Sequence, residues 1–204
     1  MEKELSGLGS KQEKIFEKIL GEFHEASDHM IWYWVHYSGF NTWQFWLLAA
    51  MLICPLIALW FWLDRNRVFL LGFYGYSVHI IFTYLDSIGT SQSFWAYPYK
   101  LFPFLPVGFA LDVSLVPVCF MFLYQHCLKK RWNYYLLSAA ASACFSLIIK
   151  PIMGAADLFQ MYNGMNYFIL FGLYVVVAFG AKWTTNLFIY FDRQSDTYRI
   201  RRIK

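Results

Sequence analysis

His79 and Asp112 are ionisable residues set deep inside long apolar stretches of this 204-residue chain. A charge in hydrocarbon is costly, so each such group is a functional candidate. At ~1.5 Å of rise per helical residue, His79 falls ~13 Å and Asp112 ~12 Å below the same boundary of their stretches. Ser142 and Tyr174 count into the same layer. Thr83 and Asp86 follow His79 on nearly the same helix face. Asn163 and Asn166 stand where the mouth of an outward-opening polar cleft is expected. The candidate cleft is thus His79, Thr83, Asp86, Asp112, Ser142, Asn166 and Tyr174. A carboxylate beside a buried imidazole orients it and lessens its burial cost. Such a site would bind a small solute or pass a proton. The same pair equally suits a structural tie between helices, with Asp86 near enough to the surface to be solvated.

Other chemistries lack their residues. The sequence has no HExxH, GxSxG, Walker loop or Gly-rich dinucleotide turn, so no catalytic residue and no cofactor is expected. His24, Glu25, Asp28 and His29 invite a metal reading, but zinc takes three or four convergent ligands and these read as a solvated helix face. Cys54, Cys119, Cys127 and Cys144 form no CxxC pair and read as small apolar packing. A lipid-active enzyme with His79 as base would still need a nucleophile or metal within reach. Lys182 is expected to snorkel towards water.

The elements that must position these groups are five apolar stretches, at 43–63, 68–88, 104–124, 134–149 and 167–190. Each is near the ~20 residues a helix needs to cross ~30 Å of hydrocarbon. Only 15% of the chain is charged, against roughly 25% for soluble domains. Tyr and Trp crowd the ends of the stretches, as interface belts do. The expected fold is all-α: an integral membrane helical bundle of five transmembrane helices with an N-terminal amphipathic interfacial helix. The fourth stretch is the shortest, with Lys150 expected to snorkel from its outer end. Within it Ser138, Ser142 and Ser146 share one face suited to close helix contact. Pro55 and Pro117 should kink spans one and three, and Pro103 and Pro106 mark the approach to span three.

Charge gives the orientation. Arg65, Arg67, Lys129, Lys130, Arg131, Arg193, Arg199, Arg201, Arg202 and Lys204 fall on one side, against Lys100 and Lys150 on the other. Ten against two places the N-terminus outside and the C-terminus in the cytoplasm. Residues 191–204 form a basic tail whose Arg193, Arg199, Arg201, Arg202 and Lys204 are expected to face anionic lipid headgroups rather than nucleic acid. The first apolar run begins only after residue 30, so the first span is expected to stay as an anchor. Residues 1–42 carry four Lys and seven acids and form an extracytoplasmic segment. Ser10 with Glu13 suggests a capping box. Ile15, Phe16, Ile19, Leu20, Phe23 and Met30 then recur at helical spacing, as a helix lying on the bilayer or docking a protein partner through 10–30.

The stretches GYSVHIIFTYLD (75–86), LFPFLP (101–106), SLVPVCFMFLYQ (114–125) and NGMNYF (163–168) resemble a family of small, uncharacterised multi-span membrane proteins from spore-forming Gram-positive bacteria. The likeness covers 64–192. It implies a bacterial plasma membrane and several helical spans, and no substrate or catalytic residue.

Overall fold

The computed structural model describes residues 9–202, with side chains described for residue 9 and residues 11–194. The fold is all-α, with five helical segments long and apolar enough to cross a membrane: Trp43–Trp62, Arg65–Ser91, Leu111–Lys130, Tyr134–Ala155 and Tyr167–Gln194. Helix α1 (Ser10–Tyr33) precedes α2 (Trp43–Trp62), α3 (Val68–Ser91), α4 (Val116–Lys130), α5 (Tyr134–Cys144), α6 (Lys150–Ala155) and α7 (Tyr167–Arg202). The π-turn Phe145–Ile149 joins α5 and α6 into one span, and another, Leu111–Leu115, leads into α4.

Helix α1 includes Ser10 itself, with Gly9 at its N-cap and no side-chain cap; the carbonyl of Gly9 accepts the Glu13 N–H at 3.0 Å as the first helical bond, so the expected capping box does not form. Ile15, Phe16, Ile19, Leu20 and Phe23 stay exposed, because α1 packs substantially only on its own continuation, Trp34–Ser38. That continuation is anchored. The Trp34 indole donates to the Lys100 carbonyl at 2.8 Å, and the Lys100 N–H donates to the buried Ser38 hydroxyl at 2.9 Å.

Helix α2 is apolar all round and only its Phe45 and Leu48 side chains are buried by the protein, as suits a helix whose solvent is lipid. Pro55 lies inside it, and the Ser114 hydroxyl donates to the nearby Leu52 carbonyl at 2.6 Å. Helix α3 is central, packed on α4 and α7 through Leu71, Tyr74 and Val78. Gly75 allows that approach: a Cβ there would sit 2.2 Å from the Met121 sulfur. On the fourth span, Ser138, Ser142 and Ser146 are fully buried on one face, but their hydroxyls donate back to carbonyls of that same span. The small side chains serve closeness, not cross-helix bonding.

Several boundaries differ from expectation: the second span extends to Arg65–Ser91, and the third ends at Lys130 rather than 124. The third span starts at Leu111 rather than 104, since Pro103 and Pro106 disfavour helical geometry in the residues before them. The fourth runs past Lys150 to Ala155, which removes the shortness of its apolar run. Helix α7 continues through 202. Between spans, β1 (Trp95–Ala96) pairs antiparallel with β2 (Gln160–Met161), setting Trp95 opposite Met161 and Ala96 opposite Gln160. This ribbon ties the 92–110 connection to that between α6 and α7.

At the far end, Gln125 clamps the α2–α3 turn, accepting from the Asp64 N–H at 2.8 Å and donating to the Trp62 carbonyl at 3.0 Å. Lys182 is half-buried; its ammonium donates to the Tyr124 hydroxyl at 2.8 Å and lies over the Tyr124 ring.

Candidate functional site

His79 and Asp112 do meet, but through the backbone. Imidazole Nδ1 lies 2.7 Å from the main-chain carbonyl oxygen of Asp112. A carbonyl only accepts, so Nδ1 carries the proton and donates. The π-turn explains why that carbonyl is free. Val116 spends its N–H on Leu111, and the next residue, Pro117, has none. Thr83 sits at 3.3 Å from the same nitrogen.

Asp86 is 4% exposed and fully engaged, not solvated. Its Oδ1 accepts from the Trp95 indole at 2.7 Å and from the Tyr97 hydroxyl at 2.7 Å; its Oδ2 accepts from the Gly108 N–H at 2.9 Å. Two glycines make room for the aromatic donors. A Cβ on Gly89 would fall 1.9 Å from the Trp95 ring, and one on Gly108 2.7 Å from the Tyr97 ring.

Lys150, expected to snorkel, instead points inward and is 2% exposed. Its ammonium donates to the Tyr97 hydroxyl at 3.1 Å and stands 3.7 Å from the centre of the Phe159 ring. A hydrogen-bonded chain therefore runs from Lys150 through the Tyr97 hydroxyl to Asp86. Burial above all, and then the Asp86 charge, hold the Tyr97 phenol well above its ordinary pKa, so it stays protonated and donating.

Asp112 completes the group. Its carboxylate has no solvent exposure and neither oxygen receives an N–H or O–H donor, while the Asp86 carboxyl lies within hydrogen-bond reach and Lys150 is close enough to act on it electrostatically. The buried Tyr174 hydroxyl is likewise unpartnered. Beside these groups lies a cavity of about 20 Å³, lined by Phe82, Asp86, Trp95, Lys150 and Tyr174 among others. That holds little more than one water, which needs ~10–15 Å³.

The arrangement is a sealed cluster, not an outward-opening cleft, because Trp95, Tyr97 and Phe159, which contact Asp86 and Lys150, are themselves buried. Of the expected lining, Asp86, Asp112 and Tyr174 converge, with His79 and Thr83 behind Asp112. Ser142 lies in the α5 packing face and donates to Ser138. Asn166 is exposed and caps α7, accepting from the Phe168 and Ile169 N–H groups at 3.0 Å each. Asn163 donates to the Ser93 carbonyl at 3.0 Å, stitching two loops. Arg193 is exposed; the side chains of Arg199, Arg201 and Arg202, and the whole of Lys204, lie outside the described residues.

Sequence reading put Trp95 and Tyr97 in an interface belt, whereas they are buried against Asp86, and it passed over Gly108 and Phe159; the four come from two connections with no periodicity. Lys150 did carry a signal, a cation among apolar residues. Among the described residues no three His, Cys, Asp or Glu side chains gather as a metal site would require. No family model, no curated protein and no solved structure matches this chain.

Proposed function

We propose that this membrane protein takes up and releases a proton at the buried cluster of Asp86, Asp112 and Lys150. The observation that carries this reading is the Asp112 carboxylate, fully buried and without a hydrogen-bond donor beside a second carboxylate. Two carboxylates and one ammonium are electroneutral when the carboxyls share one proton and carry a net negative charge when they do not. In a low-dielectric interior that single proton is the cheapest change available to the group. The chain from Lys150 through Tyr97 to Asp86 supplies hydrogen-bonded groups to exchange it. A cavity of about 20 Å³ favours a proton over a larger solute.

The positive-inside count supports placing this cluster towards the outer face of a Gram-positive plasma membrane, with the basic tail on anionic lipid in the cytoplasm. The test is infrared titration of the protein in lipid nanodiscs. A carboxylic-acid band that titrates in wild type should disappear in Asp112→Asn. Identical spectra for the two proteins at every pH would remove the proposal.

A second reading, an assembly partner docking through residues 10–30, rests on the exposed apolar side of α1. Co-purification that is lost in Phe16→Ser/Phe23→Ser would support it.

A further inference from the structure

At the end of the molecule opposite the cluster, a groove of about 640 Å³ runs between the start of α3 and residues 185–192 of α7. Its chemistry is divided along its length. Arg65, Arg67 and Asp192 line one end, and Phe69, Phe73 and Phe188 line the other. The arginines belong to the short turn Arg65–Arg67 between two spans, which is headgroup level for any bilayer those spans cross. The phenylalanines lie deeper, with Phe73 and Phe188 in ring contact at 4.7 Å and Phe69 91% exposed.

The geometry points to a seat for one anionic glycerophospholipid, its phosphate between Arg65 and Arg67 and an acyl chain over the phenylalanines. Two guanidiniums against one carboxylate leave the polar end net positive. A zwitterionic lipid would bring its own cation to that end, so an anionic headgroup is the complementary one. Arg65 is positioned in advance: it donates to the Trp60 carbonyl at 2.7 Å and lies over the Trp60 ring at 5.1 Å. Guanidinium forks suit phosphate oxygens, and the remaining N–H groups of Arg65 are enough for a bidentate contact. This seat is distinct from the basic tail and does not depend on the proton-handling cluster.

The full-length protein in detergent, titrated with phosphatidylglycerol or phosphatidylcholine of matched chains, tests the assignment, with lipid retention read by native mass spectrometry. Phosphatidylglycerol should be retained tightly and phosphatidylcholine weakly. Arg67→Gln, which leaves the Arg65 contacts with Trp60 in place, should weaken phosphatidylglycerol about fivefold, and the Arg65→Gln/Arg67→Gln pair should abolish the preference. Free glycerophosphoglycerol should not compete. Equal retention of both lipids would overturn the site. So would an unchanged preference in Arg67→Gln, which would move it to the tail, or full competition by the free headgroup, which would make the ligand a soluble phosphodiester.

Discussion

At Asp86 three donors converge on one carboxylate, whereas Asp112 has none, and substitution should separate the two. Asp86→Asn turns an amide NH2 towards donors that need an acceptor, at a cost of about 1.5–3 kcal/mol. Asp112→Asn orphans no donor and leaves Asp86 and Lys150 as a neutral pair, so it should be neutral or stabilising. Thermal unfolding in one detergent compares them directly; an Asp112→Asn protein less stable than Asp86→Asn would contradict the geometry. Lys100 offers a pH test outside the spans. Burial pulls its pKa below the ordinary 10.5, with Asp86 opposing. Below the lowered value both folded and unfolded chains hold the proton, and the burial penalty is felt in full. As pH climbs from there towards 10.5 the folded chain sheds the proton first, so stability rises in that window. Lys100→Met should flatten the rise in an alkaline melting series. At this scale sequence was informative where a charge interrupts an apolar run, as at Asp112 and Lys150. It read Trp95 and Tyr97 as interface residues, because their buried roles come from reaching across Gly89 and Gly108.

Helices and turns carry the next level of cause. The Leu111–Leu115 π-turn and Pro117 together deny the Asp112 carbonyl its helical donors, and His79 takes the place. Pro117→Ala returns an N–H to that position. The imidazole should then lose its fixed tautomer, seen as a shift of the His79 ring nitrogens in ¹⁵N NMR; unchanged ring signals would show that the proline has no part in it. The Phe145–Ile149 π-turn stands just ahead of Lys150 and Pro151, so both inward-facing charges of spans three and four sit at such turns. Five spans were legible because uninterrupted apolar runs have few alternatives. Their ends were less so: the start at Leu111 depends on prolines acting with a distant acceptor, Asp86, that draws Gly108 inward. A ribbon of two residues per strand leaves no period to read.

For the molecule as a whole, the bundle is closed around α3, while α1 and α2 stand at its margin. Deleting residues 1–33 spares Trp34 and Ser38, which hold the 92–110 connection. The melting temperature should then move by no more than about 4 °C, the shift that ~1 kcal/mol makes at this size. A larger drop would mean that α1 supports the bundle. Helix α7 has a mechanical consequence of its own. Its 36 residues make a rod of ~54 Å, against ~30 Å of hydrocarbon. The same rod brings Tyr174 to the buried cluster and projects well past the opposite face. A stiff rod pivoting in the bilayer is a lever: a tilt of about 10° displaces an arm of ~24 Å by ~4 Å at its tip. A small rearrangement around Tyr174 thus becomes, with no moving joint, a stroke of atomic-contact size on the other side of the membrane.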